Sequence, residues 1–318
     1  MTRLKPDLYL DNMWKIREIN HENRLLNQIH LYSNRMSCKI FPNLGGSLQQ
    51  MKIDNIDLID GISADEKGLE DYKNTFKSSI LFPFPNRIKD GRYEFGEKSY
   101  QLDINDTYFG NAIHGLVYDQ SFTISKELSN PEKARLEMKF KSEGKNPGYP
   151  FSYELVLIYE FWNKGEANLT FKVNNLDHRT IPFGMGWHPY FVAGNLAGSS
   201  LSIPAADHFI CPEKMIPEEK EEAQLESSFL LEDKRFDDGY SLVKPNCYFE
   251  TEAYRLEMTF DTGKESFLQI YTPEHRQSIA IEPMTCVTDA FNNGIGLEAI
   301  DSGTEYQWTI QMRFETKS

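Results

Sequence analysis

The sequence feature that most constrains the fold is the repeat of apolar residues at every second position in five separate segments. Successive side chains of a β-strand point to opposite faces, so each segment predicts a strand with one buried and one solvated face. Helical periodicity is weak, and strands do not alternate with helices. The pattern therefore predicts an all-β fold, a large antiparallel β-sandwich with few short helices. The segments are ARLEMKF (134–140), FSYELVLIYEFW (151–162), ANLTFKV (167–173), YRLEMTF (254–260) and YQWTIQMRF (306–314).

Turn residues agree with this fold. Asp90-Gly91 lies between two short extended runs and predicts a two-residue hairpin turn, because such turns need positive φ. The acidic segment 217–235 is compatible with one helix or with a loop. Neither an internal repeat nor a Pro/Gly/Ser-rich linker divides the sequence. We therefore expect a single domain over residues 1–318, with residues 1–35 as an N-terminal extension packed on it.

Charge and composition restrict the partners. The formal net charge is −14, which repels phosphate backbones and anionic lipids, so we expect no nucleic-acid or membrane partner. No apolar run approaches the roughly 20 residues of a membrane span, and the N-terminal segment does not resemble a signal peptide. The four cysteines form no CxxC pair, which favours reduced thiols in a cytoplasmic protein. A neutral small molecule is the natural ligand of such a chain, which we expect to be a monomer or a weak homodimer.

Four stretches break the alternation and place polar groups among glycines, prolines and aromatic residues. Irregular segments of this kind at the edge of a rigid sandwich are where binding and catalytic residues are usually found. The stretches are FPFPNRIKDGRY (82–93), NAIHGLVYD (111–119), GMGWHPYF (184–191) and IAIEPMTCVTDAFNNG (279–294).

Two titratable residues in these stretches, His188 and Glu282, each precede a proline. The proline ring pushes the preceding residue toward an extended conformation, so both side chains are predicted to project from strand ends with restricted freedom. That restriction suits a catalytic acid or base, although ordinary strand ends explain either residue alone. His114 precedes a glycine and is compatible with a structural role as well as a catalytic one. Arg87 offers a rigid fork of donors that suits sugar hydroxyls, a carboxylate or solvent.

A metal centre is a further alternative, because two histidines and one glutamate are a known ligand set. The sequence contains no HxH or HExxH motif and no carboxylate cluster near either histidine. It also contains no glycine-rich phosphate loop and no nucleophile elbow. We therefore predict a site without metal or cofactor.

Taken in order, the four stretches resemble the aldose 1-epimerase (galactose mutarotase) family, and the likeness extends from about Met36 to the C-terminus. FPNLGGSLQQMKI (41–53) is similar to the family's opening strand pair. The matching motifs are Asn86-Arg87-Ile88 with Gly91-Arg92-Tyr93, His114-Gly115, His188-Pro189-Tyr190-Phe191, and Glu282-Pro283 with Asp289-Ala290-Phe291-Asn292.

The resemblance implies a large antiparallel β-sandwich and an isomerase of carbohydrate metabolism that interconverts the α and β anomers of a free aldose without a cofactor. It implies that Glu282 is the general base and His188 the general acid. His114 would be the third catalytic residue and, like Arg87, would contact the sugar hydroxyls and the region of the ring oxygen. The other residues would bind the sugar: Asn86, Asp237 (a better match than Asp238) from a loop, and Trp187 and Tyr190 as an apolar wall.

Three positions depart from the family pattern, at Leu116, Met284 and Trp187. These positions flank the residues expected to bind the sugar hydroxyls, so the sequence does not identify galactose as the substrate. We expect His188 to be held protonated by a nearby carboxylate or by the sugar. A hexose-phosphate epimerase, which would need more arginines around the pocket, and a non-catalytic carbohydrate-binding or regulatory protein are the alternatives.

Overall fold

The computed structural model describes residues 13–317. The segment in which the sequence analysis expected no signal peptide begins before Met13 and therefore lies largely outside the described residues. Over the described range, no helix has the length and apolar character needed to cross a membrane.

Short strands dominate the described chain, with two α-helices, α1 (Glu66–Thr75) and α2 (Ala290–Asn293), and 3₁₀ turns at Arg24–Leu26 and Lys89–Gly91. The strands are, in order, β1 (Lys15–Ile19), β2 (Gln28–Tyr32), β3 (Met36–Phe41), β4 (Ser47–Ile53), β5 (Ile56–Asp57), β6 (Ile80–Leu81), β7 (Arg87–Ile88), β8 (Arg92–Phe95), β9 (Lys98–Gln101), β10 (Ala112–Ile113), β11 (Thr123–Ser129), β12 (Lys133–Glu143), β13 (Ser152–Trp162), β14 (Glu166–Asn175), β15 (Ile181–Phe183), β16 (Gly186–Trp187), β17 (Tyr190–Val192), β18 (Ser200–Ser202), β19 (Ala205–Ile210), β20 (Glu219–Glu222), β21 (Phe229–Leu230), β22 (Asp237–Leu242), β23 (Asn246–Glu250), β24 (Tyr254–Thr259), β25 (Ser266–Tyr271), β26 (Ser278–Met284), β27 (Glu298–Ile300) and β28 (Glu305–Thr316).

A nine-stranded antiparallel sheet contains all five alternating segments. Its order is β11-β12-β13-β14-β28-β24-β23-β18-β21, so the five predicted strands are direct neighbours. Their apolar positions align across the sheet, as Leu157, Phe171 and Trp308 do in adjacent strands, and these three residues are buried. The predicted antiparallel β-sandwich is confirmed.

An eight-stranded antiparallel sheet packs against the first. Its order is β20-β19-β22-β25-β26-β16-β6, with β17 also paired to β26. The two sheets meet where the ring of Phe191 on β17 lies 6.4 Å from that of Phe314 on β28. The Tyr254 hydroxyl on β24 donates to the Val192 carbonyl at 2.6 Å. Strand β26 is buried along its whole length, because its other face is also covered.

A five-stranded sheet, β1-β2-β3-β4-β5, adjoins these two. Residues 13–35, the described part of the expected N-terminal extension, supply β1 and β2, which pair in sequence with β3. Helix α1 follows this sheet. It begins at Asp65, whose carboxylate accepts a hydrogen bond from the Gly68 amide at 2.8 Å, a typical N-cap arrangement. Only Leu69 and Tyr72 give this helix a buried apolar side, which explains why its periodicity was too weak to predict it.

Two local predictions need correction. The acidic segment 217–235 is neither a helix nor only a loop, because it contains β20 and β21. Asp90 and Gly91 do have positive φ values, 52° and 63°, but they do not close a hairpin. They connect β7 to β8, which pair with β10 and β9 respectively.

Candidate active site

His188 and Glu282 face each other on neighbouring strands. Both β16 and β17 pair with β26 in one continuous register, which places His188 opposite Glu282. The distance from His188 Nε2 to Glu282 Oε1 is 3.6 Å, and both side chains are almost completely buried. The flanking register pairs are Gly186–Met284 and Tyr190–Ala280. Residues 94 positions apart are therefore brought together by the pairing of two strands.

The register of the sheet places further side chains on the same face as Glu282, because residues two apart on a strand share a face. Gln269 donates to Asp237 Oδ1 at 3.0 Å, and the ring of Tyr190 stacks on that of His188 with centroids 5.1 Å apart. The small residues Gly239 and Ala280 leave space between these side chains. Two rows result, Gly239–Gln269–Glu282–His188 and Asp237–Tyr271–Ala280–Tyr190.

The opposite wall comes from the short pair β7 and β10. The register that pairs Ile113 with Arg87 brings His114 next to Asn86, and the His114 amide donates to the Asn86 carbonyl at 2.9 Å. His114 and Asn86 both have positive φ, 64° and 52°, which is unusual for residues with side chains and typical of functional sites. Gly115 also has positive φ, and a Cβ there would lie 2.2 Å from the Phe82 carbonyl oxygen.

Arg87 is held by neighbouring groups before any ligand arrives. Its Nε donates to Asp106 Oδ2 at 2.7 Å, and its guanidinium lies over the ring of Phe109 at 5.2 Å. The Arg87 carbonyl accepts from the Asp289 amide at 2.7 Å. The aspartate of the last motif therefore fixes the backbone that carries Arg87, and it does not line the cavity.

These walls enclose a cavity of about 560 Å³. All but one of the residues that the sequence analysis assigned to a site line it: Asn86, Arg87, His114, His188, Tyr190, Asp237 and Glu282. The prediction for Trp187 is wrong. Odd-numbered residues of this segment point to the opposite face of the sheet, where Trp187 is fully buried in the core beside Phe191, with ring centroids 6.2 Å apart. Asp238 also points away, and it accepts from His208 at 2.8 Å.

Burial controls the protonation of the facing pair. Burial raises the pKa of Glu282 well above its usual range, and the Asp237 carboxylate adds to the increase while Arg87 opposes it. Burial lowers the pKa of His188 to about 3, and that of His114 falls well below its usual range for the same reason. Desolvation therefore disfavours a protonated His188 in the unliganded protein, although the Glu282 carboxyl group lies close to it. That the sugar holds His188 protonated stays a prediction.

Asp237 differs from Glu282 in its contact with solvent. Its carboxylate is open to the cavity, although protein surrounds it on the other sides. That enclosure raises its pKa, while Arg87 opposes the increase.

Buried polar atoms beside the cavity lack partners. Within residues 13–317, His114 Nδ1, His188 Nδ1 and Glu282 Oε2 form no hydrogen bond. Buried polar groups are usually satisfied, and exceptions often mark functional sites. Within the same range, no group of three or more His, Cys, Asp or Glu side chains is arranged to hold a metal ion.

Several lining residues were missed by sequence reasoning. Gln269 interrupts the apolar run SFLQIY, and this polar residue inside a buried strand was a usable signal. Lys77, Asp106 and Tyr108 come from loops whose place in the fold no local pattern reveals. The three positions that depart from the family pattern, Leu116, Met284 and Trp187, do not line the cavity.

Known proteins resemble this chain in sequence and in structure. A sequence model of the family described as Aldose 1-epimerase matches residues 27–313. The uncharacterized protein YihR of Escherichia coli strain K12 is 28% identical over 244 residues, which cover 72% of this chain and 76% of YihR.

Two solved structures share the fold. A galactose mutarotase-like protein from Clostridium acetobutylicum has a TM-score of 0.84 and 21% identity, covering 96% of this chain and 99% of that one. A galactose 1-epimerase from Lactobacillus acidophilus NCFM has a TM-score of 0.80 and 17% identity over the same shares, 96% and 99%.

Proposed function

Since the chain belongs to the aldose 1-epimerase family, we propose that it interconverts the α and β anomers of a free aldose by general acid–base catalysis. One observation supports this reaction above all others. Glu282 Oε1 and His188 Nε2 lie 3.6 Å apart in a cavity large enough for a sugar. This distance is too long for a direct hydrogen bond, so both groups are free to bond to atoms of a ligand.

The reaction needs only proton transfers. The Glu282 carboxylate removes the proton of the anomeric hydroxyl while protonated His188 gives a proton to the ring oxygen. The bond between the anomeric carbon and the ring oxygen breaks, and the anomeric carbon becomes an aldehyde. Rotation about the adjacent carbon–carbon bond presents the other aldehyde face, and closure reverses both transfers. Each positioned proton-transfer group contributes about 10²–10⁴-fold.

The protonation of the unliganded pair fits this cycle. Burial favours the neutral form of both Glu282 and His188. A pair in which both groups are neutral holds one dissociable proton, which is also its state after ring opening. Binding of the cyclic sugar requires that the proton move to His188, so that the ionic form is the reactive one. Hydrogen bonds from sugar hydroxyls to the Glu282 carboxylate favour its charged form.

The remaining lining residues support binding of a neutral sugar. Arg87, Asn86 and His114 present polar atoms opposite the facing pair, and Asp237 accepts hydrogen bonds on the side of Gln269. Every lysine and arginine that lines the cavity is already paired with a carboxylate: Lys73 with Glu70, Lys77 with Asp60 and Asp71, and Arg87 with Asp106. This pairing favours a neutral aldose over a hexose phosphate.

Anomer exchange tests the proposal directly. We expect the protein to accelerate exchange between the anomers of an aldohexose, followed by exchange NMR or polarimetry on glucose and galactose. Glu282→Gln keeps the shape of the side chain but removes the base, so we expect a loss of about 10²-fold or more. Glu298→Gln is the matched control, because Glu298 is also buried but pairs with Lys264 at 2.7 Å away from the cavity. Its exchange rate should stay within about threefold of the parent protein.

Two results would contradict the proposal. Unchanged exchange in Glu282→Gln would remove Glu282 from its role. Saturable sugar binding without acceleration by the parent protein would identify a carbohydrate-binding protein instead.

A further inference from the structure

The cavity is larger than one sugar unit requires. A hexose has twelve non-hydrogen atoms, which at the volume of liquid water per molecule occupy at most about 360 Å³. The cavity measures about 560 Å³. A hexose held against Glu282 and His188 therefore leaves the outer part of the cavity, toward the loop around Tyr108, unfilled.

The outer part carries an exposed aromatic ring. Tyr108 lines the cavity and is 87% exposed, more than any other large apolar residue in the described range. A ring in this position loses contact with water only when something covers it, and the apolar face of a pyranose suits an aromatic ring.

Tyr108 is carried by a hydrogen-bonded turn. Asp106 and Asn111 pair across its base, and the Phe109 ring packs edge-on against that of Tyr108 with centroids 4.6 Å apart. Asp106 also accepts from Arg87. The turn that carries the exposed ring is therefore joined by one ion pair to Arg87, a side chain of the inner site.

Polar groups accompany the ring at the mouth of the cavity. Asn74 and Thr107 line the mouth, as does His275, together with the half-exposed Tyr271. Amide, hydroxyl and imidazole groups beside an aromatic face are the chemistry that sugar hydroxyls and C–H groups require.

We propose that the substrate is a reducing disaccharide or longer oligosaccharide. Its reducing unit lies between Glu282 and His188, and its second unit lies on the ring of Tyr108. This inference rests on the proposed anomer exchange, whose chemistry at the reducing unit is unchanged. Tyr108 determines specificity and takes no part in proton transfer.

The test compares sugars that share one reducing unit. Exchange NMR of the anomeric signals gives kcat/KM for glucose and for maltose, cellobiose and lactose, each of which ends in a reducing glucose. We expect at least one disaccharide to have a higher kcat/KM than glucose. Tyr108→Ala should lower kcat/KM of that disaccharide about three- to tenfold more than that of glucose. The loss should appear in KM, because Tyr108 does not contact the reacting atoms.

Two further variants complete the design. Tyr108→Phe keeps the ring and should keep the disaccharide preference. Val243→Ala removes another exposed apolar side chain outside the cavity and should leave both sugars unaffected.

A preference for glucose over all three disaccharides, or equal losses for both kinds of sugar in Tyr108→Ala, would overturn the inference. If no sugar is accelerated, the proposed anomer exchange fails. In that case the ratio of the Kd for the disaccharide to the Kd for glucose, measured by calorimetry on the same variants, decides the inference. Tighter disaccharide binding that depends on the Tyr108 ring supports it, and equal Kd values overturn it.

Discussion

The nine-stranded and eight-stranded sheets consist of similar antiparallel strands but differ in what covers them. In the nine-stranded sheet, strands such as β12 and β28 alternate between buried and more exposed positions. In the eight-stranded sheet, β26 is buried at every position, because one face packs on the core and the other is covered by the loops that form the cavity. The first sheet supplies a core, and the second divides its residues between the core and the candidate site.

Because of this difference, alternate residues of a strand in the eight-stranded sheet contribute to different properties, one set to stability and the other to activity. On β26, Ile279 and Ile281 point into the core, whereas Ala280 and Glu282 point into or toward the cavity. On β14, Phe171 points into the core and Lys172 points outward to Glu305. Substitutions on the nine-stranded sheet should therefore act on the folded fraction, and those on the cavity face of β26 should act on the rate.

The largest effect is expected in the core of the nine-stranded sheet. Phe171 is fully buried, and its ring packs on Trp308 with centroids 5.4 Å apart. Phe171→Ala should lower the free energy of unfolding by about 3–5 kcal/mol, because it leaves a cavity. The exchange rate per folded molecule should stay near that of the parent protein. Urea unfolding and anomer-exchange NMR measure the two quantities.

Lys172→Ala on the same strand is the control for this substitution. It removes a partly exposed pair with Glu305 at 3.5 Å, so its cost should be about 1 kcal/mol or less. A loss of activity per folded molecule in Phe171→Ala that exceeds its loss of stability would show that the two sheets are not separate in function.

The same difference explains how much the sequence could predict. The alternation of residues reports a strand only when one face meets solvent, so β12, β13, β14, β24 and β28 were predictable, and with them the sandwich. Strands β25 and β26 lack alternation because both faces are covered. Glu282 on β26 was found through the proline that follows it and through the family resemblance, whereas Gln269 on β25 was missed.

The error at Trp187 has the same physical origin. Its neighbour His188 points into the cavity, so an adjacent strand residue had to point the opposite way. The period of two that predicts the strands of the nine-stranded sheet holds for this short segment as well. The loop residues Tyr108 and Asp106 depend on tertiary contacts over long sequence distances, which local patterns do not contain.

The pH dependence of the rate is the next prediction, and it concerns the cavity face of the eight-stranded sheet. The reactive pair must hold one proton. The pair gains a second proton only below the pKa of His188, about 3. It loses its remaining proton as the pH rises through the raised pKa of Glu282. We therefore expect kcat/KM to show no change near the ordinary pKa of histidine, about 6.5. Above the raised pKa of Glu282, kcat/KM should fall by about tenfold per pH unit.

A pH–rate profile of the parent protein checks this expectation, with His178→Asn as a control at an exposed histidine. A change near pH 6.5 that is absent from His188→Asn would mean that His188 titrates normally, and would contradict the effect of burial on this residue.

The smallest predicted effect is on the pH dependence of stability, and it concerns one carboxyl group next to each sheet. Asp177 follows β14 and accepts from Arg179 Nε at 2.8 Å, and this guanidinium lowers the pKa of Asp177 below its usual range. Its stabilising contribution is therefore present above the unfolded pKa and is lost as the pH falls through the folded pKa. Glu282 behaves oppositely: its raised pKa means that its contribution is complete below the unfolded pKa and is lost as the pH rises through the folded pKa.

Replacing each carboxyl with its amide should therefore change stability with opposite dependence on pH. Asp177→Asn should destabilise the protein at neutral pH, by an amount that shrinks as the pH falls. Glu282→Gln should gain stability relative to the parent protein as the pH rises above about 4.3, the ordinary pKa of glutamate, because the parent must keep its buried carboxyl protonated or ionise it at a cost in stability. Urea midpoints at a series of pH values measure both differences. Parallel pH profiles for Glu282→Gln and the parent protein would show that the site carboxyl is ionised without cost, and the contrast between the two sheets would then not extend to their charges.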